Sequence, residues 1–229
     1  MSLTVTWYGH SNILLESSTG TISIDPFFHD DPEAWRKIPR PDMIALTHDH
    51  VDHLGSALEM LGSGVGVLAC ITDIANWLKS GGLSAEHIAN NGSGWNIGGT
   101  LEFGGIKITM TPAVHSSGHG SPVGYILEFP DGFTVYHAGD TAIFGDMVLL
   151  GRQCSIDVAI VPIGGIFTMD GTQAAQACAM LNAKAAIPVH YGTFSTLAPD
   201  AEGFERALKD FAPQCMPLVL KKSQKQKLA

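Results

Sequence analysis

Five ionisable side chains occupy six consecutive positions, His48, Asp49, His50, Asp52 and His53, immediately after the apolar run Met43–Thr47. That juncture constrains the fold more than any other stretch. The run reads as a buried strand, and three imidazoles with two carboxylates packed this tightly have no structural explanation without a bound metal. A sheet whose strand ends open on a pocket accommodates both, and α/β proteins place ligand sites at the C-terminal ends of strands. Residues two apart on an extended segment point the same way, so His48 and His50 converge on one point. Asp52 and His53 follow as the chain turns into a helix and face a neighbouring point. Imidazole combined with carboxylate suits zinc, manganese or iron, whereas an all-oxygen set suits magnesium or calcium.

Local ligands rarely complete such a centre, and three further polar residues end apolar strands in the same manner. His115 closes "IKITMTPAVH", Asp140 lies in "VYHAGDT", and His190 closes "AAIPVH". Separate strands can thereby place ligands around one pocket.

Period-2 patterns mark strands at Leu3–Trp7, Asn12–Glu16, Thr21–Ile24, Met43–Thr47, Val65–Ile71, Ile106–Thr111, Val123–Phe129, Phe133–His137, Asp157–Val161 and Ala185–Val189. Helical patterns cover Thr72–Lys79, Thr141–Leu150, Asp170–Asn182 and Ala201–Phe211. Asp170 with Gln173 three residues on has the form of a capping box. An early meander followed by strands alternating with helices predicts an α/β (α+β layered) fold, a four-layer αβ/βα sandwich. The 229 residues, 45% hydrophobic, read as one domain with two similar halves, about 1–114 and 115–229.

Composition then excludes function classes. No apolar run approaches the ~20 residues of a membrane span, and "MSLTVTWYGH" lacks the basic and apolar regions of a secretory signal. Cys70, Cys154, Cys178 and Cys215 are widely spaced without a CxxC pair, so they read as reduced thiols of a cytoplasmic protein. The formal charge is −9, and four of the thirteen basic residues crowd the last nine positions, leaving nine against 22 acidic groups elsewhere. So acidic a body is not a nucleic-acid surface. Lys221, Lys222, Lys225 and Lys227 read as a solvated, frayed terminus. A small-molecule substrate is the expected partner, and assembly into homo-oligomers stays open.

The order His48-x-His50-x-Asp52-His53, then His115, Asp140 and His190, resembles the metallo-β-lactamase superfamily over nearly the whole chain. "WYGHSNILLE", "SIDPF", "PIGGIFTMD" and "IPVHYGTF" resemble a branch of metal-dependent hydrolases related to ascorbate-phosphate lactonases and the N-acyl-phosphatidylethanolamine phospholipase D group. The resemblance implies the αβ/βα sandwich and two divalent ions, zinc before manganese or iron. It implies one ion on His48, His50 and His115, a second on Asp52, His53 and His190, and Asp140 between them.

Such a pair lowers the pKa of water toward about 7 and polarises a carbonyl or phosphoryl oxygen. A metal-dependent hydrolase of small esters, lactones or phosphoesters follows. Asp52, Asp140 and His119 are the residues expected in the chemistry, His119 as proton donor to a leaving group. Asp25 is the expected acceptor for a ligand histidine's outer nitrogen. His10 either lies near the metals or ends a strand. His137 has a weaker claim to the site, while His29 and His87 sit in polar loops as surface residues. Gly164 and Gly165 turn the backbone beside the pocket, and no GxGxxG accompanies them. The competing readings are a phosphodiesterase or RNA-processing nuclease, a diiron redox protein, and a non-catalytic metal-binding module. An acidic body opposes the first, the lack of room for a flavin domain the second, and the complete ligand set the third.

Overall fold

Two β-sheets pack face to face around one continuous core in the computed structural model, which describes residues 2–229, and helices cover the outer faces. This is the expected αβ/βα sandwich. The first sheet holds β1 (Thr4–Trp7), β2 (Ile13–Ser17), β3 (Gly20–Ile24), β4 (Met43–Ala45) and β5 (Val67–Ala69) in sequence order. The second holds β6 (Thr100–Phe103), β7 (Ile106–Pro112), β8 (Val123–Glu128), β9 (Thr134–His137), β10 (Val158–Pro162), β11 (Ala185–Val189) and β12 (Met216–Pro217), also in order. β13 (Lys225–Lys227) crosses back to pair with β1. Because β6 and β7 belong to the second sheet, the passage between sheets falls near residue 100 rather than 115.

Pairing sense decides where the polar strand ends gather. β1 and β3 are both antiparallel to β2, and β4 runs parallel to β3, so these three end on one edge. In the second sheet β7 and β9 are both antiparallel to β8, and β9, β10 and β11 are mutually parallel, so they too share an edge. β10 and β11 are buried at every position, as their unbroken apolar sequences require of central parallel strands. Tyr125 of β8 ties the sheets together beside the site, donating from its hydroxyl to the Leu46 carbonyl at 2.6 Å.

The expected capping box forms: Gln173 N–H donates to Asp170 Oδ1 at 2.8 Å, and Asp170 N–H to Gln173 Oε1 at 3.3 Å, opening the helix Gly171–Met180. Two expectations fail. The helix placed at Thr141–Leu150 begins only at Met147 and runs to Gln153. Residues 141–145 instead bond across to other segments, Ala142 N–H to the Val114 carbonyl and Met169 N–H to the Thr141 carbonyl. Nor is the lysine-rich end frayed. Lys225–Lys227 form the ladder with Thr4–Thr6, and Lys225 Nζ reaches Glu16 at 2.8 Å. Lysines on an outermost strand also discourage pairing with another chain. Among the described residues, no helix is long and apolar enough to cross a membrane.

Candidate metal centre

The segment after β4 is fixed from below by Asp25, which is fully buried at the end of β3. Its carboxylate accepts from Thr47 N–H at 2.9 Å, from the Thr47 hydroxyl at 2.7 Å and from His53 Nδ1 at 2.8 Å. Since the Thr47 hydroxyl spends its proton on Asp25, it accepts from His48 Nδ1 at 3.0 Å. Both imidazoles therefore place Nδ1–H on the buried side and turn Nε2 toward the centre, where His48 Nε2 lies 2.9 Å from His50 Nδ1 and His53 Nε2 3.3 Å from Asp140 Oδ2, the orientation a ligating histidine needs. Asp25 thus takes the expected buttressing role for His53 directly and for His48 through Thr47.

All seven predicted ligands converge. Donor atoms of His48, His50 and His115 lie within 4.8 Å of one another, as do those of His48, His53 and Asp140, and those of His10, Asp52, His53 and His190. Asp140 Oδ2 lies 3.0 Å from His190 Nε2, 3.3 Å from His53 Nε2 and 3.7 Å from His115 Nε2, between the two imidazole-bearing groups. Asp140 reaches that place on a turn only glycine can make. Gly139 has φ +62°, and a Cβ there would meet the Val123 carbonyl at 2.4 Å. Gly139 N–H also donates to His137 Nδ1 at 3.1 Å, which gives buried His137 a role in holding the turn. Burial lowers the His137 imidazole to about 4, keeping it neutral.

His10, left open by the sequence, belongs to the centre. Its Nε2 lies 3.0 Å from Asp52 Oδ2, and its ring centroid is 4.1 Å from that of His190. His10, Asp25 and His190 all occupy the left-handed region, at φ 51°, 46° and 59°. Non-glycine residues rarely adopt it unless the surroundings enforce it. Here His190 N–H and Trp7 Nε1 both donate to the His10 carbonyl, at 3.0 and 2.8 Å, and Trp7 stacks on Tyr191. Gly164 packs directly on His190, where a Cβ would come within 2.4 Å of its carbonyl oxygen.

Electrostatically the centre calls for cations. Burial opposes ionisation of Asp25, Asp52 and Asp140, but neighbouring imidazoles outweigh it, and all three carboxyls stay below the ordinary range. For Asp140 the dominant imidazole is His53; for Asp52 it is the hydrogen bond from His10. Burial lowers His10 and His115, and it brings His48 down to about 3. Against burial, Asp140 and Asp25 raise His53 well above the ordinary imidazole range, so one imidazolium offsets part of the charge of three carboxylates, and further positive charge would stabilise the rest. Asp140 Oδ1 and His53 Nε2 are moreover buried without a hydrogen-bond partner among the described residues. Nitrogen and carboxylate donors left unpaired in this way fit divalent first-row ions.

His119 does not join them. It is absent from the lining of the cavity over the centre; its Nδ1 pairs with Asp49 Oδ2 at 2.6 Å and its ring stacks on Trp77 at 4.4 Å. The expected proton donor is therefore a brace. Asp49, given no role by the sequence, also accepts from the Ser117 hydroxyl and Gly118 N–H, each at 2.7 Å. It cross-links the two segments that supply His48, His50 and His115. His29 and His87 lie outside the three ligand groups.

The sequence profile of the β-lactamase superfamily domain matches residues 11–191. The chain belongs to that superfamily. A UPF0173 metal-dependent hydrolase of Nitratidesulfovibrio vulgaris (strain DP4) is 48% identical over 218 residues, covering 94% of this chain and 91% of the relative. Another, from Lawsonia intracellularis, is 42% identical over 223 residues, 96% of each chain. Among solved structures, Igni18, a metallo hydrolase of Ignicoccus hospitalis, superposes with a TM-score of 0.88 at 33% identity, covering 99% of this chain and 98% of its own. This superfamily member is a metal-dependent hydrolase.

Proposed function

We propose that the enzyme works with two divalent cations, zinc before manganese or iron, and hydrolyses a small ester, lactone or phosphoester. His48, His50 and His115 hold one cation and Asp52, His53 and His190 the other, with Asp140 shared. The observation that carries this reading is the position of Asp140 Oδ2, within 3.0 to 3.7 Å of nitrogens from both sets. Bound there, the cations supply an activated water and polarise the scissile carbonyl or phosphoryl oxygen. The protein's part is orientation and proton handling. Asp25 and Thr47 hold the imidazoles, while Asp52, 25% exposed and lining the cavity, would accept a hydrogen bond from water there. Four free cysteines and no disulfide among the described residues support a reducing, cytoplasmic setting. Elemental analysis of the purified protein should give two metal ions per chain, with hydrolysis lost on chelation and regained on reloading. One ion per chain at full activity would overturn the dinuclear assignment.

A further inference from the structure

Resting on the hydrolase reading, we propose that the substrate is an uncharged acyl compound, an ester or lactone, whose apolar acyl or aryl group lies against Phe167, Phe194 and Leu197. The cavity over the centre has a volume of about 620 Å³, and these three side chains are its apolar lining. Among the described residues no lysine or arginine lines it. Lys222 lines the adjoining cavities and pairs with Asp30. Sites built for phosphate or carboxylate supply forked or point cations from side chains. Here, beyond the candidate ligands, an anionic group would meet the side chains of Ser116, Ser195, Thr196, Phe167, Phe194 and Leu197, none of them cationic, on a protein of charge −9.

The wall is held in place before anything binds. Ala198 N–H donates to the Gly164 carbonyl at 3.0 Å, joining the loop of Phe167 to that of Phe194 and Leu197. Phe194 is backed by His10, His29 and Phe27, with ring centroids 5.4, 5.1 and 6.4 Å away. Exposed apolar side chains also lie close in sequence to the site. Of eleven exposed large hydrophobic side chains among the described residues, Val51, Val114, Ile166, Phe167 and Phe194 lie within four positions of a ligand or of Gly165. In the reaction water's oxygen forms a bond to the acyl carbon as the acyl–oxygen bond breaks, and water's proton goes to the departing alkoxide, giving acid and alcohol.

The test uses the metal-loaded enzyme with p-nitrophenyl acetate, butyrate and hexanoate and with bis(p-nitrophenyl) phosphate. We expect kcat/KM to rise about fourfold per added methylene. The phosphodiester, a monoanion, should fall about tenfold below the hexanoate for its one charge without a side-chain partner. Phe167→Ala should flatten the series while metal content stays at the wild-type value. Preference for the phosphodiester, or a flat series in the wild type, overturns the proposal. Binding gives a readout without turnover: hexanohydroxamic acid should bind more tightly than acetohydroxamic acid, and Phe167→Ala should narrow the gap. Equal affinities overturn the substrate class. Chain-length-dependent binding with no turnover of any ester counts against the hydrolase reading alone.

Discussion

The two halves of the centre are built by different means. The three-imidazole half, His48, His50 and His115, is partly exposed and uses two loops cross-linked by Asp49, whose other contacts are Ser117, Gly118 and a His119 ring laid on Trp77. The other half, His10, Asp52, His53 and His190, is more deeply buried, contains a carboxylate, and places two of its imidazoles on left-handed backbone. A bridge between loops can be loosened without disturbing the core. Strained residues tied together by Trp7, Tyr191 and Gly164 cannot. The outer half should therefore tolerate change and release its ion first, and the inner half should fail together with the fold.

Asp140 belongs to both halves, so its loss should have the largest effect. Asp140→Asn should empty both positions and lower kcat/KM on the order of 10⁴-fold, because residues acting as a unit fail as a unit. Metal per chain and single-turnover rates check this. A variant keeping one ion and a tenth of the activity would show that the halves are independent.

Asp25→Asn comes next. It removes the carboxylate that orients His53 directly and His48 through Thr47, so metal affinity should fall about 100-fold in chelator competition. The same change leaves a fully buried imidazole without its partner and should cost the fold about 3 kcal/mol, read from the urea midpoint. Loss of affinity without loss of stability would separate Asp25's two roles.

Asp49→Asn should act on one half only. About tenfold weaker binding is expected for the ion on His48, His50 and His115, with the inner ion and the urea midpoint unchanged. Two-phase metal release to a chelator, in which only the fast phase accelerates, measures it. Acceleration of both phases would mean that the halves are mechanically one.

Much of this was legible in the sequence, for a physical reason. Metal chemistry admits few residue types, and a polar group ending an apolar run is visible without knowing the fold, so His48 through His190 could be assembled strand end by strand end. The unread parts depend on contacts distant in the chain. Asp49 and His119 are 70 residues apart, His10 and Asp52 are 42 apart, and nothing local to either pair announces its partner. His119 reads as a proton donor from its residue type alone, whereas its pairing with Asp49 and its stacking on Trp77 depend on packing. Lys225–Lys227 have poor strand composition, yet β1 offers them an open ladder. Thr141–Gly145 carry a helical pattern that bonds to Val114 and Met169 override.

The smallest expected effect is at His10, and it sharpens the comparison most. His10 Nε2 touches Asp52 Oδ2 at 3.0 Å, a distance that serves equally a hydrogen bond orienting Asp52 and two donors facing one ion. Its Nδ1 is buried with no partner among the described residues. His10→Asn keeps a side chain tolerant of positive φ and so removes the imidazole with little added strain. If His10 orients Asp52, two ions remain and kcat falls only about tenfold, as expected for one hydrogen bond to a charged group. If His10 is a fourth ligand of the inner ion, that ion should instead leave as readily as the outer one. Release kinetics of this variant therefore decide whether backbone strain at His10 serves the carboxylate or the cation.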